Sequence, residues 1–230
     1  MSQDSLLDEI LELIPNDLRD VPGSLLYSGQ DAWTGTSPVY LMGLNPGGDP
    51  AVVTETVASQ AAELLRTQPV NYSAYRDEAW AKPLGGLRPK GTAPMQRRIL
   101  HMLDVLGLDP GTVPSSNLVF ARTRRWGDLS PGEQNAWADA CWPFHQAMIK
   151  RLGVRVVVCF GEPAGRLVRA QTGANELVET FVETNARRWT SYYYKGQGGI
   201  SVVEARHPSV ADWCNPATDV TPLVVNALRS

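Results

Sequence analysis

This sequence of 230 residues is short of cysteine and histidine, and it has no long apolar run. Cys141, Cys159 and Cys214 are an odd set without a Cys-x-x-Cys pair. Such a set argues against a disulfide framework, a zinc knuckle and a four-cysteine iron–sulfur site, and it suits a reducing cytoplasm. No stretch approaches the ~20 apolar residues of a membrane helix, so no membrane partner is expected. The N-terminus lacks the charged-then-apolar order of a signal peptide. No Gly-x-Ser-x-Gly occurs, which argues against a hydrolase built on a nucleophile elbow. Net charge is only −3 and does not advertise nucleic-acid binding. The charge is unevenly placed, however. Residues 1–20 carry six acids against Arg19, a net of −5, which leaves the remainder positive. Basic residues sit beside aromatics at Arg122-Thr123-Arg124-Arg125-Trp126 and at Arg187-Arg188-Trp189, where a local face can grip phosphates. Each cluster read alone also fits solvated surface charge.

What the chain does have is α/β alternation over a length that suits one large domain or two small ones, and we read it as a single domain of residues 1–230. Leu6, Leu7, Ile10, Leu11 and Ile14 fall at helical spacing, giving an acidic helix within residues 1–20, capped at Asp4 or Ser5 and stopped by Pro15. Residues 20–37 read as loop. Strands are predicted at about 38–43, at Asn117–Ala121, at Arg155–Phe160, and at Tyr192–Tyr194 and Ile200–Ala205 joined by a turn at Lys195–Gly199. Helices are predicted over Thr54–Arg66, from Pro94 to about Leu106, from Ser130 to near Gly153, from about Pro163, and over Thr218–Leu228. Ser130-Pro131-Gly132-Glu133 has the form of a capping box with proline at the first helical position. Residues 67–93 form a long irregular insertion that carries Tyr72, Tyr75 and Trp80, and a stretch of that kind inside a domain is usually functional or disordered. The expected fold is a three-layer α/β/α sandwich around a mainly parallel sheet of about four strands.

In such a sheet, ligands bind where loops leave the strands' carboxyl ends. The first strand breaks into Gly43-Leu44-Asn45-Pro46-Gly47-Gly48, with Asn45 the one side chain between glycines that has hydrogen-bonding chemistry. The spacing is not that of a phosphate loop; read alone, it also fits an ordinary strand exit. The last strand ends in His207-Pro208-Ser209, a histidine pinned by proline, whereas His101 and His145 lie inside predicted helices and read as structural.

Together, Gly43–Gly47 and His207–Ser209 resemble the two signature motifs of the uracil-DNA glycosylase superfamily. The first is similar to the G-x-N-P-G form of its mismatch-specific and single-strand-selective branches. Between them, Ser116-Asn117-Leu118-Val119 is similar to the strand bearing a base-reading asparagine, and Cys141–Phe144 through Val156–Gly161 resembles the helix-strand-glycine segment. The resemblance spans about residues 38–215. It implies a monofunctional DNA glycosylase without metal or cofactor, acting as a monomer on double- or single-stranded DNA that carries a modified or mismatched pyrimidine. It implies Asn45 as the residue positioning the attacking water and His207 as the donor to the departing base. Gly43, Leu44, Gly47, Gly48 and Asn117 would bind the base, with Trp80, or else Tyr75, stacked on it.

Arg122, Arg124 and Arg125 are candidates for phosphate contacts. The resemblance also puts Ser209 and Val210 at the DNA, with Val210 and Ala211 where a wedging leucine is usual and Trp213 as a substitute wedge. The main uracil-specific branch has a tyrosine where this chain has Gly47, so the C5 side of the pocket is expected to be open to a methyl or larger group. The implied role is base excision repair or attack on phage DNA with hypermodified cytosine. A catalytically inactive nucleic-acid-binding module of the same fold is the alternative.

Overall fold

Val39–Gly43 (β1) shows why the sheet forms where it does. Its first four side chains are buried, and β-branched and aromatic residues suit a packed, pleated surface. The computed structural model describes residues 3–196 and 198–230, so Met1, Ser2 and, from the expected turn, Gln197 lie outside the described residues. In chain order the elements are α1 (Gln3–Glu12), α2 (Asn16–Arg19), α3 (Gln30–Thr34), β1, α4 (Val57–Thr67), α5 (Ala74–Asp77), α6 (Pro94–Val105), β2 (Ser115–Asn117), α7 (Pro131–Leu152), β3 (Val156–Phe160), α8 (Glu162–Thr172), β4 (Ala174–Val182), β5 (Thr190–Gly196), β6 (Ser201–Ala205) and α9 (Thr221–Arg229).

The described strands form one six-stranded sheet in the order β2-β1-β3-β6-β5-β4. The first four run parallel, while β5 and β4 are antiparallel additions at one edge. The sheet is therefore larger than the four or so strands expected. Alternation along the strands divides the interior in two. Tyr40 and Met42 of β1, with Val157 and Cys159 of β3, face a core shared with α1, α4, α7 and α8. Val39, Leu41, Val156, Val158 and Phe160 face the other core, shared with α6 and α9. Helices thus flank a mixed, mostly parallel sheet. Each fully buried valine of β3 contributes roughly 1.5–3 kcal/mol, which explains why an uninterrupted apolar run marks this central strand.

Local chemistry sets several boundaries. Ser130 Oγ accepts from the Glu133 N–H while the Glu133 carboxylate accepts from the Ser130 N–H at 2.8 Å, so the capping box starts α7 as expected. Thr56 and Ser59 cap α4 in the same reciprocal way. The N-terminal helix is shorter than expected: α1 stops at Glu12, and a separate turn, α2, follows Pro15. The expected loop over residues 20–37 contains α3, whose Trp33 is fully buried. None of the described helices is long and apolar enough to cross a membrane.

Candidate active site

The carboxyl ends of β2, β1, β3 and β6 open onto one cavity of about 460 Å³. From β1 the chain passes to β2 on one side and then returns to β3 on the other. The crevice made by that reversal is where open α/β sheets bind ligands. Asn45, Asn117 and His207, separated by up to 162 positions in the chain, all line this cavity, as do Gly43, Leu44, Gly47, Tyr75 and Trp80. Gly48 does not line it. Its φ is 108°, and a Cβ there would stand 3.3 Å from Arg122 Nη1, so its expected place against a base is corrected to one beside Arg122.

Asn45 is held by its amide nitrogen. Nδ2 donates to Thr123 Oγ1 at 2.7 Å and to the Pro46 carbonyl at 3.1 Å. A carbonyl can only accept, so the atom facing Pro46 must be the nitrogen. Both N–H groups are thereby occupied, and Oδ1 remains as an acceptor. Thr123 was not singled out by its sequence, where it reads as a spacer among arginines. It is buried, and its own N–H bonds the Pro46 carbonyl at 3.2 Å, which ties the two loops together.

Among the described residues, His207 is held through Nδ1. The Ser209 N–H donates to Nδ1 at 3.1 Å, and Ser209 Oγ lies 2.8 Å from the same atom. A backbone N–H can only donate, so Nδ1 is an acceptor and the neutral ring carries its proton on Nε2. Burial lowers the His207 pKa below its ordinary value and favours this neutral form. Ser209, expected at the DNA, thus turns its polar groups toward His207. The ring packs edge-on to Phe160, with centroids 6.2 Å apart and planes at 77°. Behind it, Gly161 takes φ of 96°, a value that side chains rarely adopt, and donates to the Ala205 carbonyl at 2.8 Å. The loop is fastened by Arg98 Nη1 on the Pro208 carbonyl (2.7 Å) and Arg187 Nη1 on the Val210 carbonyl (3.0 Å). Arg187 lies over the Trp189 ring, so that basic cluster contributes to holding the loop.

Asn117 lies at the end of β2 rather than at the start of a strand running to Ala121. The Leu118 and Val119 N–H groups still bond the Gly43 and Leu44 carbonyls at 2.9 Å, but the chain has left the regular ladder. Asn117 Nδ2 donates to the Tyr27 hydroxyl at 2.8 Å. Its Oδ1 lies where a Cβ of residue 43 would stand, which explains the glycine at 43. Tyr27 lines the cavity and was not singled out; only the tertiary approach of a segment read as loop reveals it.

The aromatic wall comprises Tyr75, Trp80 and Phe160. The Tyr75 ring lies 6.0 Å from Trp80 and 6.4 Å from Phe160, and its hydroxyl is 3.0 Å from Ser115 Oγ. Phe160 was missed, although the last residue of a central strand before a glycine occupies the same kind of position as Asn45. Among the outer residues, Val210 is 51% exposed, while Ala211 and Trp213 are fully buried. Trp213 donates to the Arg206 carbonyl at 3.1 Å and packs on Phe160, so it is corrected from a substitute wedge to a core residue. Arg122 Nη1 bonds the Gly47 carbonyl and Arg124 pairs with Asp49, so both brace the first loop. Arg125 is exposed.

Among the described residues, no group of three or more His, Cys, Asp or Glu side chains is arranged to hold a metal ion. The chain matches no protein-family model, and no curated protein matches it.

Proposed function

We propose that the protein is a DNA glycosylase of the uracil-DNA glycosylase type, hydrolysing the N-glycosidic bond of a flipped-out pyrimidine and leaving an abasic site. The observation that carries this reading is the convergence of Asn45 and His207 on one cavity, with Asn45 fixed through Nδ2 and His207 through Nδ1. A duplex hides its bases, so the nucleotide must swing out, at a cost of a few kcal/mol.

In the cavity, Asn45 Oδ1 accepts a hydrogen bond from water and aims its oxygen at the sugar's C1′. The N1–C1′ bond breaks with its electron pair going to the base, through an oxocarbenium-like sugar. Water completes the bond at C1′, and its surplus proton passes to solvent. An amide is no base, so rate comes from orientation and from stabilising the leaving group. His207 supplies the second by donating Nε2–H to O2 of the departing base. The aromatic wall supplies a stacking face and Asn117 reads the polar edge. Uracil and C5-substituted pyrimidines both fit this chemistry, in repair or in attack on foreign DNA, and Arg125 with Val210 would meet the DNA.

The test is a panel of oligonucleotides, single- and double-stranded, that carry uracil, thymine mispairs or C5-modified cytosines, incubated with the protein and then cleaved with alkali. Strand breaks at the modified position, lost in Asn45→Ala and His207→Ala, are expected. DNA binding with no cleavage at any base overturns the enzyme in favour of a binding module.

A further inference from the structure

A second, polar cleft of about 300 Å³ lies against the base cavity. Three features join them. Tyr27 lines both. Glu78 of the cleft accepts from Nε1 of Trp80, a cavity residue, at 3.2 Å. Arg122 of the cleft donates to the carbonyl of Gly47, also a cavity residue. The two spaces therefore adjoin, and apart from its chain neighbours no described residue lies within 4 Å of where a Cβ of Gly47 would stand.

Ring geometry says what could span the two spaces. In a pyrimidine, O2 and a C5 substituent leave the ring in opposite directions. With O2 at His207, beyond β6, the C5 substituent points toward the β2 side of the sheet, where Asn117 and Tyr27 stand. The cleft beyond holds the carboxylates of Glu55, Glu63 and Glu78 together with Arg122. Arg122 Nε is buried and has no acceptor among the described residues. Gln60 forms a fixed floor, its Oε1 accepting from Leu25 and Leu26 N–H and its Nε2 donating to the Leu26 carbonyl. Three carboxylates disfavour an anionic substituent, and an ammonium has no acceptor to offer the buried Arg122 Nε. Hydroxyl groups satisfy both, donating to carboxylates and accepting from arginine.

We infer that this cleft is a subsite for a hydroxyl-rich C5 substituent, a single sugar ring in size, carried by the flipped pyrimidine. The inference rests on the glycosylase reading of the neighbouring cavity. It makes a glycosylated 5-hydroxymethylpyrimidine the preferred substrate class, with Tyr27, Glu63, Gln68, Tyr72 and Arg122 around the sugar.

The test measures affinity separately from chemistry. Fluorescent oligonucleotides carrying 5-hydroxymethylcytosine, its glucosylated form or 5-aminomethylcytosine are titrated with full-length protein bearing His207→Ala, so that turnover does not intrude. The glucosylated probe is expected to bind about tenfold tighter than the hydroxymethyl probe, the scale of one or two added hydrogen bonds. Gln68→Trp, which fills the cleft, and Glu63→Gln should each reduce that ratio; thermal unfolding identifies a misfolded variant, and the other then decides. Equal affinity for the glucosylated and hydroxymethyl probes, or a ratio unchanged in the folded variants, overturns the subsite. An equal gain for the aminomethyl probe overturns its hydroxyl chemistry. Excision by the unmodified protein is scored in parallel. Loss of excision with the affinity ratio intact rejects the glycosylase reading alone; excision of uracil with no ratio rejects the subsite alone.

Discussion

His145 and His207 carry their proton on the same nitrogen and live opposite lives. In the core, His145 Nε2 donates to the Leu118 carbonyl at 3.0 Å, and Nδ1 accepts from the Tyr40 hydroxyl at 2.9 Å. Its own chain satisfies both nitrogens, and no face is left for anything else. At the carboxyl end of β6, His207 lines the cavity, and among the described residues its ring is bonded only at Nδ1, by Ser209. Burial lowers both pKa values, His145 to about 4. A depressed pKa therefore does not distinguish a structural imidazole from a reactive one. What distinguishes them is whether the fold fills the second nitrogen.

The sharpest way to break this contrast is to remove each ring and compare what is lost. His207→Ala should slow base excision by about 10²–10³-fold, or about 2.7–4 kcal/mol, the scale of one lost donor to a developing anion. Its unfolding midpoint should hardly move; a large stability loss would make His207 another core residue. His145→Phe keeps a ring but strands the Tyr40 hydroxyl and the Leu118 carbonyl, and should cost about 2–3 kcal/mol in urea unfolding.

Acid should reproduce part of that second effect. His145 titrates near its ordinary value of 6.5 when unfolded and at about 4 when folded, so the unfolded chain binds the extra proton first. Stability is unaffected by this group above about pH 6.5 and falls as pH drops through the window down to about 4. Between about pH 7.5 and pH 5 the loss is about 2 kcal/mol. His145→Phe should show a correspondingly shallower pH dependence; an unchanged slope would assign the acid sensitivity to other groups.

At the edge, filling the space that the fold leaves is the complementary change. Gly47→Tyr meets no steric block at its Cβ and should shift relative excision from C5-substituted cytosine toward uracil by about tenfold, near 1.4 kcal/mol. An unaltered ratio would place C5 elsewhere. The smallest effect belongs to Ser209→Ala, which removes Oγ but keeps the N–H on Nδ1. A loss of about 1 kcal/mol in transition-state stabilisation is expected, with the acid limb of the rate profile moved. A rate loss without that movement would confine Ser209 to a packing role.

These two environments also measure how much could be read beforehand. The strand exits at Asn45 and His207 were legible because glycine and proline interrupt apolar runs abruptly. The α7 start was legible because Ser130 and Glu133 satisfy each other locally. β2 was misplaced because its residues, Ser115, Ser116 and Asn117, are polar yet buried; tertiary partners such as the Leu25 carbonyl, 2.6 Å from Ser116 Oγ, satisfy them. β4 went unseen because it is an edge strand with irregular register, where Leu177 and Val178 are about half exposed, so no alternation marks a buried face. Tyr27 and Thr123 were invisible for a related reason. Each acts on an asparagine far away in the chain, and no local pattern encodes such a contact.

The acidic start of the chain acquires a meaning from where it docks. Glu9 pairs with Arg151 and Asp4 with Arg66, residues in the last turns of α7 and α4. α7 leads directly into β3, so its last turn lies at the rim where that strand begins, opposite the carboxyl ends that open onto the cavity. Negative charge is therefore fastened to the rear of the sheet while arginines brace the loops at the front. On the proposed function, a protein of net negative charge thereby keeps these acids clear of the loops that a phosphate chain would meet, where Arg125 is exposed.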